Sequence, residues 1–176
     1  MTVAGVSAAR RRVDVIKLRE LQARMPRTLT ILRITGDPAR SIVLRIVIPT
    51  AFNSDYPREK QEASVVEIDL PETYPFPPGP SVNFKTPIWH PNVFPSGKWC
   101  FGEWQITENL ELFVIRLMKA IALDPVITNP QSAANIAAAS WFVLHQRLHP
   151  ELFPTTALAG LNLEAPPPAI GWRSIR

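Results

Sequence analysis

The residues of this 176-residue chain best suited to covalent chemistry are its single cysteine, Cys100, and Asn92, eight positions earlier. A deprotonated thiol is a strong nucleophile that can carry an acyl group as a thioester. A side-chain amide such as that of Asn92 can donate a hydrogen bond to an oxyanion, which can be worth about 10²–10³ in rate. The pair therefore indicates acyl transfer through a thioester. The alternative, from the residue type alone, is that Cys100 is a buried and inert residue.

The segment around Cys100, residues 71–109, is irregular and rich in proline, and it contains Trp89, Trp99 and Trp104. A long irregular segment in a small domain is usually functional or disordered, and aromatic residues at this density argue against disorder. Proline makes up 19 of the 176 residues, against a usual share of about 5%. We therefore expect a rigid loop that packs against the rest of the domain and presents Cys100.

The spacing of apolar residues predicts the elements that must position this loop. Val15, Leu18, Leu21 and Met25 recur at helical spacing, which predicts a helix over residues 8–25. Four strands should follow, over residues 29–35, 41–48, 64–70 and 81–85. Their connections are too short for crossover helices, so we expect an antiparallel meander.

Two helices are predicted after the loop. Thr107 is expected to cap the first, whose apolar stripe is Leu110, Phe113, Val114, Leu117 and Ile121. The second should span residues 132–148. The fold class is therefore α+β, in the order N-terminal helix, four-stranded antiparallel meander, active-site loop region and C-terminal helices. We expect one domain over residues 8–150 and an extension or tail over residues 151–176, in which Leu161, Leu163, Ile170 and Trp172 are apolar.

The distribution of charge bears on possible partners. Residues 1–45 hold ten Lys/Arg and three acids, a balance of +7, whereas the rest of the chain has a balance of −3. A basic end of this kind is typical of binding to nucleic acid or to an acidic protein, although a solvated helix face has the same composition. No aromatic residues are interleaved with these arginines, so the stacking that single-stranded nucleic acids require is missing.

The composition also bears on redox chemistry and compartment. One cysteine excludes an intramolecular disulfide and any zinc site that needs two thiolates. The first residues lack the apolar core of a signal peptide, and the uncharged stretch 125–146 contains Asn, Pro and Gln residues that are unsuited to a membrane span. A cytoplasmic protein without a membrane segment is the expectation.

Several short motifs occur along residues 70–130 of the chain. In order, they are Leu70-Pro71, Tyr74-Pro75-Phe76-Pro77-Pro78, His90-Pro91-Asn92, Cys100, Trp104, Asp124-Pro125 and Asn129-Pro130. In this order and spacing, about residues 10–148 resemble the ubiquitin-conjugating enzymes. Members of that family accept a ubiquitin-like protein as a cysteine thioester and pass it to an amine.

The resemblance implies a role for each matched residue. Cys100 would form the thioester, and Asn92 would stabilise the oxyanion during aminolysis or hold the loop in shape. His90 and Pro91 would support the active-site loop. Pro75 and Phe76 would belong to the surface that binds a ligase.

The resemblance also implies the partners of the chain. These are a ubiquitin-like protein, an activating enzyme that contacts the basic N-terminal helix, and a target lysine or other amine. Neither nucleic acid nor a membrane is implied as a partner, and no metal or organic cofactor is implied.

Two other functions are compatible with the sequence. One is a catalytically silent family variant that binds ubiquitin-like proteins without forming a thioester; such variants lack the cysteine that this chain retains. The other is a metal site that combines His145 and His149, spaced by one helical turn, with His90 and Cys100.

The sequence departs from typical members of the family at four places. Trp104 follows Cys100 by only four residues, closer than is usual, and Phe101-Gly102 replaces Leu-Asp. Residues 105–107 replace the Ser-Pro-Ala of the ligase-docking surface, and Asn129 replaces an acid that helps to receive the incoming lysine. With these departures the chain looks like divergent bacterial members, which are encoded beside activating-enzyme-like and ubiquitin-like proteins, often in antiphage defence loci.

Overall fold

The computed structural model of the chain describes residues 2–153. Its helices and strands are α1 (Val3–Arg24), β1 (Leu29–Thr35), β2 (Ser41–Ile46), β3 (Ser64–Asp69), β4 (Ser81–Phe84), α2 (Leu110–Ile121) and α3 (Ile136–Leu148). The strands form one antiparallel sheet in the order β1-β2-β3-β4. The predicted α+β class and the predicted order of elements are both confirmed.

The sheet buries one face because its apolar residues alternate along the central strands. Ile42 and Leu44 of β2 pair with Ile68 and Val66 of β3, and all four side chains are buried. In β1 the register shifts at Ile31, which explains why the sequence of that strand alternates only in part.

Helix α1 starts earlier than predicted, at Val3, because the side chain of Thr2 accepts a hydrogen bond from the N–H of Gly5 at 3.2 Å. A buried carboxylate then joins this helix to the rest of the domain. Asp14 accepts a hydrogen bond from the hydroxyl of Tyr74 at 2.6 Å and is paired with Arg10. The first part of the basic helix is therefore held against the loop that contains the Tyr74-Pro75 motif.

The predicted starts of the last two helices are corrected by the structure. Helix α2 is capped by Asn109, not Thr107: the Asn109 side chain accepts a hydrogen bond from Leu112 N–H at 2.9 Å. The region predicted as the start of the last helix is instead a short 3-10 helix, Pro130–Ser132, and α3 begins only after its cap, Asn135. The predicted apolar stripe of α2 is confirmed, since all five of its members are buried.

The described part of the chain continues just past the predicted boundary at residue 150. Phe153 is buried against Phe142 and Trp141 of α3, with ring centroids 5.1 and 6.0 Å apart. The apolar residues predicted in the tail, Leu161, Leu163, Ile170 and Trp172, lie outside the described residues. Within residues 2–153, every helix is too short or too polar to cross a bilayer.

Gly97 permits a close approach between the backbone of the segment before Cys100 and the end of β4. Its φ is +90°, and an added Cβ would lie 2.6 Å from the carbonyl oxygen of Phe84. We expect Gly97→Ala to lower the free energy of unfolding by about 1–3 kcal/mol, as measured by urea denaturation. Gly102→Ala is the matched control, because Gly102 has a φ of +81° but an added Cβ would meet nothing within 4 Å. Equal losses in the two variants would contradict this account.

Candidate active site

Cys100 is exposed at the end of a narrow hairpin that rests on the edge of the sheet. Val93 and Trp99 form an isolated antiparallel bridge, and Trp99 N–H donates to the carbonyl of Val82 in β4 at 2.9 Å. The Trp99 side chain is buried against Phe113 of α2, with ring centroids 5.6 Å apart. The thiol is therefore open to solvent, whereas the residue before it is fixed in the core.

A groove of about 300 Å³ opens beside the thiol, between the Cys100 segment and the segment that follows α2. The described residues that line it are Asn92, Trp99, Cys100, Phe101, Gly102, Val126, Ile127, Asn129 and Ser132. None of these lining residues has a carboxylate or an imidazole. The groove can therefore orient an incoming group, but these side chains do not supply a general base.

Asn92 lies in the wall of the groove, 5% exposed. Its Nδ2 donates to the carbonyl oxygens of Asn129 at 2.7 Å and Ser132 at 3.0 Å, and its Oδ1 accepts from Asn129 N–H at 2.8 Å. The Asn92 carbonyl also accepts from Cys100 N–H at 2.7 Å. Asn92 thus connects both walls of the groove, and each N–H of its amide already has a backbone acceptor.

His90 is 1% exposed and is held within the turn that precedes Asn92. Its Nδ1 accepts a hydrogen bond from Asn92 N–H at 3.0 Å, and its Nε2 lies 3.3 Å from Oγ1 of Thr128. Burial lowers the pKa of His90 to about 3, although a hydrogen bond to the backbone of Ala120 opposes this shift. The ring is therefore neutral at pH 7, and it joins the turn to the end of α2.

Pro91 acts through its carbonyl group, which accepts hydrogen bonds from the N–H groups of Ala134 at 2.8 Å and Asn135 at 2.9 Å. The turn is in this way bonded to the entry of α3. The sequence-predicted residues His90, Pro91, Asn92 and Cys100 thus lie together in one hydrogen-bonded unit.

The buried neutral His90 makes stability depend on pH. Its pKa is depressed in the folded state, so below about pH 6.5 the unfolded chain takes up a proton that the folded chain does not. We expect the contribution of His90 to the free energy of unfolding to fall by about 1.4 kcal/mol per pH unit from pH 6.5 towards its folded pKa. Urea denaturation between pH 7 and pH 4.5 measures this slope. His90→Gln should remove this component, and an unchanged slope in that variant would contradict the assignment.

The two residues predicted to bind a ligase differ in exposure. Pro75 is buried, and its carbonyl accepts a hydrogen bond from the indole N–H of Trp104 at 2.7 Å, whereas Phe76 is half-buried. Trp104 also packs over Gly79, where a Cβ would lie 2.4 Å from the indole. Of these two residues, only Phe76 has side-chain surface that a partner could contact. Trp104, which follows Cys100 by four residues, joins the loop around Pro75 to the segment after Cys100.

Some arginines of α1 contact other parts of the domain, whereas others are exposed to solvent. Arg11 bonds to the carbonyl of Pro71, and Arg24 pairs with Glu111 of α2. Arg12 and Arg19 remain exposed. The surface charge available to an acidic partner is therefore smaller than the sequence balance of +7.

The four residues of the alternative metal site, His90, Cys100, His145 and His149, do not form a cluster in the structure. His145 contacts the carbonyl of Trp141 at 2.9 Å on α3, whereas His90 is buried in the turn before Asn92. Among residues 2–153, no group of three or more His, Cys, Asp or Glu side chains is arranged to hold a metal ion.

Three residues that build the site, Ser132, Arg116 and Glu108, carry no signal in the sequence that marks them as site residues. Ser132 binds the Asn92 amide through its carbonyl, and Arg116 of α2 bonds the residue after Cys100 and pairs with Glu108. Backbone acceptors carry no signal in the side-chain sequence. From the sequence alone, an arginine on a helix is expected to be solvent-exposed, because its neighbours in space are not known.

The fold and the site together define an α+β domain that presents one exposed thiol beside a groove. The sequence model of the family described as "Ubiquitin-conjugating enzyme" matches residues 19–151. The chain therefore belongs to the ubiquitin-conjugating enzyme family.

Relatives with similar sequences have the same family name. Ubiquitin-conjugating enzyme E2 T of Mus musculus is 34% identical over 98 residues, which cover 51% of this chain and 46% of that protein. Ubiquitin-conjugating enzyme E2 K of Homo sapiens is 32% identical over 97 residues, which cover 52% and 44% respectively. The chain thus spans about half the length of these relatives.

A solved structure, that of human ubiquitin-conjugating enzyme E2 G1, is similar with a TM-score of 0.48 and 21% identity. The alignment covers 62% of this chain and 92% of that one.

Proposed function

We propose that the protein accepts ubiquitin or a ubiquitin-like protein from an activating enzyme as a thioester on Cys100, and transfers it to an amine of a target protein. The observation that carries the proposal is the setting of the thiol. Cys100 is exposed, its N–H is bonded to the Asn92 carbonyl, and it borders a groove, in a chain whose residues 19–151 match the family.

The first step is a thiol exchange. The sulfur of Cys100 attacks the carbonyl carbon of the modifier's C-terminal thioester on the activating enzyme. A new carbon–sulfur bond forms to Cys100, the bond to the activating enzyme breaks, and the departing thiolate takes up the proton that Cys100 loses. Because reactant and product are both thioesters, this exchange needs access to the thiol more than it needs acid–base catalysis.

The second step is aminolysis. The nitrogen of a target lysine attacks the thioester on Cys100, a carbon–nitrogen bond forms, and the carbon–sulfur bond breaks with return of the proton to sulfur or solvent. The thioester is already activated, so orientation in the groove is the main contribution that this chain makes. Asn92 contributes by holding the groove wall or by donating to the oxyanion. Asn129 lies in the groove and can position the amine, but it cannot take its proton.

The partners follow from the same proposal. The exposed arginines of α1, Arg12 and Arg19, are assigned to contact with the activating enzyme, and Phe76 to contact with a ligase. The catalytic unit is residues 8–150, with 151–176 as an extension. We place the protein in the cytoplasm, among the divergent bacterial members of antiphage defence loci, on the basis of its departures from typical members.

The test is capture of the thioester in the native host. The full chain, carrying an epitope tag, is isolated under acidic conditions and run on gels with and without reducing thiol, and any adduct is weighed by mass spectrometry. A parallel reaction contains ubiquitin, ubiquitin-activating enzyme and ATP. The proposal predicts an adduct that disappears with thiol and whose mass identifies the modifier.

Alkylation provides the control, because Cys100 is the only cysteine in the chain. Pretreatment of the purified chain with iodoacetamide, before the chain is added to the parallel reaction, should prevent the adduct. If no adduct forms in the native host while the activating enzyme there is active, the carrier function is wrong. The catalytically silent binding module would then be the better description.

A further inference from the structure

Arg116 of α2 contacts the residue that directly follows Cys100. Its guanidinium donates from Nη1 to the carbonyl oxygen of Phe101 at 3.1 Å and from Nη2 to Oε2 of Glu108 at 2.7 Å. It also lies over two aromatic rings, 5.4 Å from the centroid of Phe101 and 5.3 Å from that of Phe113. One side chain therefore fixes both the main chain and the ring of Phe101 to α2.

The arrangement is largely shielded from solvent. The side chains of Arg116 and Glu108 are 23% and 17% exposed, so their attraction is screened less than that of a surface pair. The planar guanidinium holds its donors in a fixed fork, so it can bond a carbonyl and a carboxylate while its face lies over a ring; a lysine ammonium lacks this fixed geometry. The Phe101 ring is fixed further by edge-on packing against Phe113 at 4.9 Å.

The chain beyond Phe101 has few other contacts. Gly102 and Glu103 are exposed, and nothing lies within 4 Å of a Cβ built on Gly102. The next anchor is Trp104, whose indole bonds the carbonyl of Pro75. Cys100 is therefore held from its N-terminal side by its own N–H on Asn92, and from its C-terminal side by the contact between Phe101 and Arg116.

We propose that Arg116 is a positioning residue for transfer from Cys100: by holding the Phe101 carbonyl it fixes the thioester sulfur at the mouth of the groove. This inference rests on the proposed carrier function. Arg116 does not touch the reacting atoms; it acts through Phe101. It matters most for a nucleophile that must approach through the groove, and least for a small reagent that attacks from solvent.

The experiment compares two nucleophiles on the preformed ubiquitin thioester of the full chain in single-turnover discharge. With free lysine, we expect Arg116→Ala to react about tenfold more slowly than wild type, because small displacements of reacting groups have large effects on rate. With hydroxylamine, a strong nucleophile that needs no oriented approach, the two proteins should react at equal rates. A general loss of folding would slow neither reaction selectively.

Two further variants control for charge and for folding. Arg116→Lys keeps the positive charge but loses the fixed fork of donors, so its rate with lysine should fall between those of wild type and Arg116→Ala. Lys119→Ala removes another half-exposed cation from the same helix and should react as wild type does. Equal lysine rates in Arg116→Ala and wild type would overturn the inference.

Hydrogen exchange separates this inference from the proposed function. In protein that carries no thioester, Arg116→Ala should speed exchange of the Cys100 amide, whose N–H is bonded to the Asn92 carbonyl, whereas Lys119→Ala should not. If wild type forms no thioester, the proposed function fails and the exchange data still report whether Arg116 holds this segment. If exchange is unchanged by Arg116→Ala, the inference is wrong whatever the chemistry of Cys100.

Discussion

Cys100→Ser is expected to convert a thiol-labile adduct into a thiol-resistant one and to abolish transfer to lysine. The serine oxygen can attack the activated modifier, but the product is an oxyester, whose alkoxide leaves far less readily than a thiolate. Cys100 is the only cysteine of the chain, so the substitution removes every possible thioester. Reducing and non-reducing gels of both proteins, with the adducts weighed by mass spectrometry, measure the effect.

The structure provides an internal control for that result. Cys100 is exposed, so replacing its sulfur with oxygen should leave thermal unfolding close to that of wild type. A Cys100→Ala variant should form no adduct of either kind. If the serine variant keeps full biological function in the native host, the thioester is not the basis of that function, and the binding-module alternative is correct.

The strands were predictable because the alternation of apolar and polar residues that defines them lies within each short segment of sequence. In β2 and β3, buried residues alternate with half-buried or exposed ones, as expected for strands with one face on the core. Three predicted strand ends extended too far: β2 stops at Ile46, β3 at Asp69 and β4 at Phe84. Beyond Phe84 the chain turns into the segment that leads to the Cys100 hairpin.

Helix boundaries were predicted less well because distant contacts decide them. The sequence predicts a helix from about residue 132, but the carbonyl of Pro91, in the turn before Asn92, accepts hydrogen bonds from Ala134 and Asn135. Those bonds place the start of α3 at Ile136. Apolar residue type was also a poor guide here, since Ile136 and Leu144 are exposed while Trp141 and Phe142 are buried.

The site was predictable in its membership but not in its bonding. The spacing of Asn92 and Cys100 correctly placed them together, because the hairpin brings Cys100 N–H back to the Asn92 carbonyl. The partners of the Asn92 amide lie 37 and 40 residues further along the chain and are backbone groups. No pattern of side chains could identify those carbonyls before the path of the chain was known.

Asn92→Ala is expected to slow discharge of the Cys100 thioester onto free lysine by about 10²-fold. The variant loses all three side-chain hydrogen bonds to the segment that contains Asn129 and Ser132, so one wall of the groove is no longer held. It also leaves partly buried backbone groups without partners, which should lower the free energy of unfolding by about 1–3 kcal/mol. Single-turnover discharge and urea denaturation measure the two effects.

The choice of nucleophile separates the two roles that the sequence left open for Asn92. If the residue holds the groove wall, hydroxylamine should discharge the Asn92→Ala thioester about as fast as that of wild type, since it needs no oriented approach. If Asn92 donates to the oxyanion, both nucleophiles should slow by a similar factor, because both pass through the same charged intermediate. Asn135→Ala is the matched control: it removes the cap of α3 but leaves the Asn92 bonds in place, so it should cost about 1 kcal/mol of stability and no lysine reactivity. Both N–H groups of the Asn92 side chain already have carbonyl acceptors, so we expect Asn92 to hold the groove wall and hydroxylamine to discharge the variant about as fast as wild type.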